Sequence, residues 1–270
     1  MFRHLTFSAC IGLVFVAAFL LVALFAPFIA PHGVNDIVGA SWDYPSLTAP
    51  LGTDMIGRDL LSRFIWGARV TIFTAAAATG IAYAVGTSLG LLAGLRNDWL
   101  DTILSRIVDL LMAIPTLIFA LVLLTILPRS IVVIVAIMAL LESTRFFRLA
   151  RSVAADIAAR DYIETAILRG ETRLWIVYRE ILPNALAPLI AETGLRFIFA
   201  VLFLSTLSFL GLGIQPPITD WGSLIKENKD GLLFGVGAAL IPGAAIALLA
   251  ISVNMVVDWI LDADARLEQH

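Results

Sequence analysis

Five long stretches of this chain carry no Asp, Glu, Lys or Arg: residues 5–31, 70–95, 110–128, 197–219 and 231–257. Each is at least as long as the roughly 17–25 residues that a membrane-spanning helix needs. A sixth segment, 130–148, is apolar from Ile131 to Leu141 and then meets Glu142 and Arg145. Pro128-Arg129-Ser130 makes a tight reversal before it, and a hairpin needs a partner. The pattern therefore predicts an all-α, polytopic membrane protein with about six transmembrane helices.

After the fourth span the spacing changes. Phe146, Leu149, Ala150, Val153 and Ile157 recur at helical intervals, while Arg148, Arg151, Ser152 and Asp156 occupy the other face. That predicts an amphipathic continuation of the span. Gly170 sits where a left-handed residue stops a helix, and a second short helix, Thr172 to Ile181, precedes Leu182-Pro183-Asn184 and the fifth span. Two stiff helices, 146–169 and 172–182, would make a compact knob projecting from the membrane. A solvated amphipathic connector is the plainer reading of the same residues. The chain reads as one transmembrane domain, 1–270. It has an outer loop at 31–68, a second at about 214–234, and a core at 69–261 that includes an inner loop, 145–185.

Composition sharpens this picture. Hydrophobic residues make up 60% of the chain and charged residues 14%, with mean hydropathy +0.96. Ordinary globular domains run near 45–50% and about 25%, so too little polar surface remains for a soluble particle. The net charge of −3 offers no basic field for nucleic acid, and a single cysteine, Cys10, excludes a disulfide scaffold. The first span is too long for a cleaved leader, and Cys10 reads as a small core residue. Of the basic residues, 11 fall on the side of the N-terminus (Arg3, Arg96, Arg106, Arg145, Arg148, Arg151, Arg160, Arg169, Arg173, Arg179, Arg266). Six fall opposite (Arg58, Arg63, Arg69, Arg129, Lys226, Lys229), and Arg196 lies within a span. The excess marks the cytoplasmic face and places both termini inside. Trp42, Tyr44, Trp66, Trp99, Trp221 and Trp259 fall near span ends or in loops, where amphipathic rings are favoured.

Absences narrow the chemistry. Neither Lys226 nor Lys229 follows a glycine, so there is no P-loop. His4, His32 and His270 form no metal-ligand spacing, and no Gly-x-Ser-x-Gly elbow or Cys/His pair appears. No catalytic residue, metal site or cofactor is expected in this chain, and a helical membrane protein without a catalytic set moves something rather than converts it.

Glu164-x-Ala166-x3-Gly170 followed by Leu182-Pro183 resembles the EAA loop of permease subunits of binding-protein-dependent ABC importers. Thr165 stands where the first alanine of that motif is usual, and Glu180 where an isoleucine often precedes Leu-Pro. Two further segments resemble the branch that carries dipeptides, oligopeptides and nickel. One is Leu51-Gly52-Thr53-Asp54-x2-Gly57-Arg58-Asp59-x2-Ser62-Arg63-x3-Gly67-Ala68-Arg69. The other is Ser208-Phe209-Leu210-Gly211-Leu212-Gly213-x-Gln215-Pro216-Pro217-x3-Trp221-Gly222. Trp99, Asp101, Arg106, Asp109 and Pro115 also sit as that branch has them.

The resemblance covers nearly the whole chain and implies half of a translocation pathway in a bacterial or archaeal cytoplasmic membrane. It implies as partners a second, similar permease subunit, two ABC ATPase subunits holding ATP and Mg2+, and an extracytoplasmic substrate-binding protein. It implies ATPase coupling through Asp161, Glu164, Ala166, Gly170, Leu182 and Pro183. The substrate it suggests first is a di- or oligopeptide; a nickel complex, an oligosaccharide or an opine are alternatives.

Two groups of charged and polar residues keep more than one reading. Asp54, Arg58 and Asp59, with Gln215, Pro216 and Trp221, either fold an outer cap by pairing internally or form a docking surface for the binding protein. Asp109, Glu142, Glu192, Arg196 and Asp258 lie in or beside spans, where charge is costly. They are buried pairs, pathway contacts, or the proton relay of an ion-coupled secondary transporter. Glu192 and Arg196 are four apart and share a helix face. Gly86, Gly90 and Gly94 are also four apart and favour close packing against a neighbouring helix or subunit.

Overall fold

The computed structural model describes residues 6–96 and 98–267. Arg3, His4 and His270 lie outside them. Thr6 opens the first helix: its hydroxyl accepts the Ala9 N–H at 3.3 Å, satisfying one of the donors a helix start leaves free. Helix α1 (Phe7–Leu24) is followed by the short α2 (Ala26–Ile29). An extended outer segment leads to α3 (Leu60–Arg96), 37 residues long. Then come α4 (Trp99–Ala113), α5 (Thr116–Ile126), α6 (Ile131–Ala158), α7 (Asp161–Leu168), α8 (Arg173–Ile176), a π-helical turn (Val177–Ile181), α9 (Leu182–Phe209), α10 (Trp221–Asn228) and α11 (Leu240–Leu267). Among the described residues there is no strand, only the isolated bridges Ile37–Arg58 and Thr53–Asp59. The expectation of an all-helical membrane protein holds.

Among the described residues, four helical stretches are long and apolar enough to cross a bilayer: Phe7–Leu24, Leu60–Leu95, Arg173–Phe209 and Gly237–Asp262. The expected third span, 110–128, is not straight. Pro115 has no N–H to donate and holds Ile114 in an extended conformation, so α4 and α5 meet at 86°. As one broken span they make a fifth. The expected fourth span lies in α6, whose second half carries Glu142, Arg145, Arg148 and Arg151, so length and composition alone do not mark it. Cys10, expected in the core, is exposed on α1. Trp221, expected at a membrane interface, is fully buried at the start of α10.

Contacts group the chain into two units. One comprises Met1–Ala76, Leu123–Val135 and Phe197–Val256 and holds both outer segments. The other comprises Ala77–Val122, Ala136–Arg196 and Val257–His270 and holds the knob.

In the second unit, α3 lies directly on α6. A Cβ on Gly90 would fall 2.5 Å from the Phe147 carbonyl, and one on Gly94 2.5 Å from the Arg151 carbonyl; Gly86 meets the Ser143 carbonyl in the same way. The glycine row predicted to pack closely thus packs on a helix of its own chain. In the first unit a Cβ on Gly12 of α1 would fall 2.7 Å from the Ser252 carbonyl on α11.

Candidate coupling site

Helix α6 stops at Ala158, not at 169, because the chain turns at Ala159-Arg160 before a separate helix, α7. Asp161 and Glu164 lie in the first turn of α7, where carboxylates oppose the positive end of the helix dipole. The C-terminus closes on Gly170, whose φ of 80° is one that side chains rarely adopt. The N–H of Glu171 bonds to the Ala166 carbonyl at 3.2 Å and that of Gly170 to the Ile167 carbonyl at 2.9 Å. Nothing stands within 4 Å of the place a Gly170 Cβ would take, so the backbone angle alone demands glycine there.

Thr172 then caps α8 by accepting the Trp175 N–H at 3.3 Å. Leu182-Pro183 was expected to separate the second knob helix from the fifth span. Instead the helix runs unbroken from Arg173 to Phe209, and the π turn at Val177–Ile181 takes up the irregularity. Pro183 contributes no donor, and the Asn184 side-chain amide bonds to the neighbouring Glu180 carbonyl at 2.6 Å.

One apolar cluster fastens this knob. Ile163 and Ala166 of α7, with Ile176, Val177 and Ile181, pack with Leu91 of α3, Ala150, Ala154 and Ile157 of α6, and Ala185 and Leu189 of α9. Each buried Ile contributes about 1.5–3 kcal/mol. Ala166 is fully buried, so it fastens the knob from within and offers no surface to solvent. Asp161, Glu164, Gly170 and Pro183 are exposed, and Leu182 is half-buried. The solvent face also carries Leu168, 81% exposed, with Ile167, Leu174 and Tyr178. These apolar residues were not singled out from the sequence; a break after Ala158 would have revealed which face of 161–168 turns outward.

Ion pairs tie α4 to the same unit. Both guanidinium arms of Arg151 bond to Asp101, Arg148 bonds to Asp109 at 2.6 Å, and Arg173 of the knob lies 3.8 Å from Asp98, which caps α4. Within the spans, Arg196 donates to Glu192 at 2.5 Å and lies 3.6 Å from Glu142 on α6. Asp109 therefore has Arg148 as its partner, while Glu142, Glu192 and Arg196 form one cluster. None of these ion pairs includes Asp258, which is exposed on α11.

The outer candidates are also brought together, largely out of solvent. Asp54 accepts from Arg58 at 2.6 Å and Arg63 at 2.5 Å, and Glu227 of α10 accepts from the same two arginines at 2.7 and 2.6 Å. Burial alone would raise the Asp54 carboxyl. The N–H groups of Arg58 and Ile56 and the two guanidinium charges outweigh that and hold it below the usual carboxylate range. Asp59 is buried and accepts from Ser62, with His32 at 3.2 Å. Trp221 donates to the Phe64 carbonyl at 3.1 Å and stacks on the Phe64 ring. Asp54, Asp59 and Trp221 thus shape the outer segments from within. Gln215 bonds to the Gly211 and Gly213 carbonyls, Arg58 is half-buried, and Pro216 is exposed. Glu227 and Asp220 were missed, although Asp220-x2-Ser223 is a legible capping box.

The family described as "binding-protein-dependent transport system inner membrane component" matches residues 86–266, and the N-terminal transmembrane domain of oligopeptide transport permease C matches residues 8–50. The dipeptide transport system permease protein DppC of Haemophilus influenzae is 35% identical over 97% of this chain and 92% of its own length. The di/tripeptide transport system permease protein DppC of Pseudomonas aeruginosa is 33% identical over 95% and 88%. The glutathione transport system permease protein GsiD of Pectobacterium atrosepticum is 30% identical over 94% and 85%. Among solved structures, a chain of the inward-facing MetNI methionine ABC transporter superimposes with a TM-score of 0.57 at 20% identity. That match spans 74% of this chain and 95% of the other, a likeness of fold.

Proposed function

Because the chain belongs to the family of inner-membrane components of binding-protein-dependent transport systems, we propose that it is the transmembrane subunit of an ATP-driven importer of di- or oligopeptides, with α7 and α8 as its coupling element. A second, similar permease completes the pathway, and a substrate-binding protein delivers cargo from outside. Two partner ATPase subunits hold ATP and Mg2+ and supply the closing motion. The chain crosses the cytoplasmic membrane of a bacterium or archaeon six times, α4–α5 and α6 included, with both termini inside.

The observation that carries this reading is the unbroken helix from Arg173 to Phe209, which joins the knob to an apolar span without a flexible link. A push on the knob passes along that helix. It also passes into α3 and α6, because Ile163 and Ala166 are packed among residues of both. An interior at native packing density transmits such a displacement instead of absorbing it. The exposed Leu168 and Ile167 on the solvent face support a protein partner there, since apolar side chains clustered in water mark interaction surfaces.

Co-purification with the ATPase, with and without Gly170→Trp, tests the reading. The wild-type chain should bring down the ATPase, and the variant should lose it or hydrolyse ATP without peptide uptake. A wild-type chain that never retains an ATPase would sink the proposal. Uptake that persists without any ATPase but collapses with the ion gradient would make the chain a secondary transporter.

A further inference from the structure

At and just before the start of α3, two arginines are neutralised and a third is not. Arg58 and Arg63 are held by Asp54 and Glu227. Arg69 has no carboxylate within ion-pair distance among the described residues. Its guanidinium lies 5.9 Å from the centre of the Trp66 ring, as a cation over an aromatic face. Both side chains line a cleft of about 550 Å3, within the range of small-molecule sites. The remaining wall is mostly apolar, with Val70 and Phe73 from α3 and Ile218 from the second outer segment, while Asn35 stands at the rim.

A cation without a carboxylate partner on an apolar cleft is complementary to a carboxylate carried beside an apolar side chain. Both outer segments contribute to the wall, Val34 and Asn35 from one and Pro217 to Thr219 from the other, which sets the cleft on the side from which cargo arrives. We propose that it receives the C-terminal residue of a peptide in transit, with the carboxylate on Arg69 and the side chain against Phe73 and Ile218. This assignment rests on the importer reading above.

The test uses the assembled complex in lipid nanodiscs, with Cys10→Ser and Asn35→Cys introducing a single thiol at the exposed rim. Ala-Phe should slow alkylation of that thiol, its C-terminal amide should not, and Arg69→Gln should weaken the protection about tenfold or more. Arg69→Lys should restore part of it. Equal protection by acid and amide overturns the carboxylate assignment. A thiol that stays unreactive without peptide means that a neighbouring subunit covers the cleft. Protection that depends on phosphatidylglycerol in the disc, with or without peptide, means that a phospholipid occupies it. Both results overturn the proposal. Binding-protein-stimulated ATP hydrolysis in the same preparation separates the two readings. If it is absent, the importer reading falls and the cleft assignment with it; if it is present without protection, only the cleft assignment falls.

Discussion

Arg63 places one guanidinium nitrogen 2.5 Å from a carboxylate oxygen of Asp54, and the two side chains are 2% and 0% exposed. The same nitrogen lies 2.6 Å from Glu227, so two segments distant in the chain share one buried charge. Removing one member strands the others: Asp54→Ala should destabilise the purified chain by about 3–5 kcal/mol. Replacing Asp54, Arg63 and Glu227 together with apolar residues of similar volume should cost much less. Thermal unfolding in detergent measures both; equal losses would show that packing rather than stranded charge sets the penalty.

Asp220 gives a pH signature. Burial pushes its carboxyl up from 3.8 to about 6 despite hydrogen bonds from Ser223, Ser208 and the N–H groups of α10. For an acid raised in the fold, the stabilising contribution is complete below 3.8. It declines as pH rises through about 6 and is gone above. Asp220→Asn keeps an acceptor for the helix start but removes the titration. The stability of the wild type relative to this variant should therefore fall by about 3 kcal/mol between about pH 3.5 and about pH 7. Unfolding at the two pH values decides it, and a constant difference refutes the buried ionisation.

Two glycines of α3 should respond oppositely to the same change. Gly90→Ala drives a methyl to 2.5 Å from the Phe147 carbonyl and should cost about 1–3 kcal/mol. Gly80 has nothing within 4 Å of its Cβ position. Gly80→Ala should be neutral, or stabilising by up to about 1 kcal/mol through helix propensity. Melting temperatures of the two single variants provide the comparison.

In the knob, support and contact can be told apart. Ile163 is fully buried, whereas Leu168 is 81% exposed. Ile163→Ala should destabilise the chain by about 2–5 kcal/mol. Leu168→Asp should leave the melting temperature nearly unchanged and still release the ATPase in a pull-down. A Leu168 variant that unfolds the chain would mean that this face is internal.

The knob was legible because its punctuation is local. Gly170 announces a left-handed stop, and the apolar spacing from Phe146 to Ile157 assigns the face of α6 that joins Ala150, Ala154 and Leu91. The end of α6 at Ala158 was not legible, since no proline or glycine marks it and Arg160-Asp161 suits a helix as well as a turn. The bend at Ile114-Pro115 was hidden for another reason: a proline inside an apolar run either kinks a span or breaks it, and packing decides. Asp54 and Arg58 kept two readings, an internally paired cap or a docking surface, because Glu227, the second carboxylate on Arg58, lies 169 residues beyond it. Local pattern cannot supply a contact of that range, and burial there depends on it.

The π turn at Val177–Ile181 sets a phase. Each residue advances an α-helix by about 100°, so the wide turn fixes the azimuth at which every later side chain leaves the helix that begins at Arg173. Glu192 and Arg196 meet Glu142 at that azimuth. Tightening the turn to ordinary α geometry with no residue removed would swing that pair a quarter-turn or so out of register, whereas deleting one residue along with it would leave the register intact. The handful of residues next to the knob thus indexes which face of the long helix each of these charges occupies.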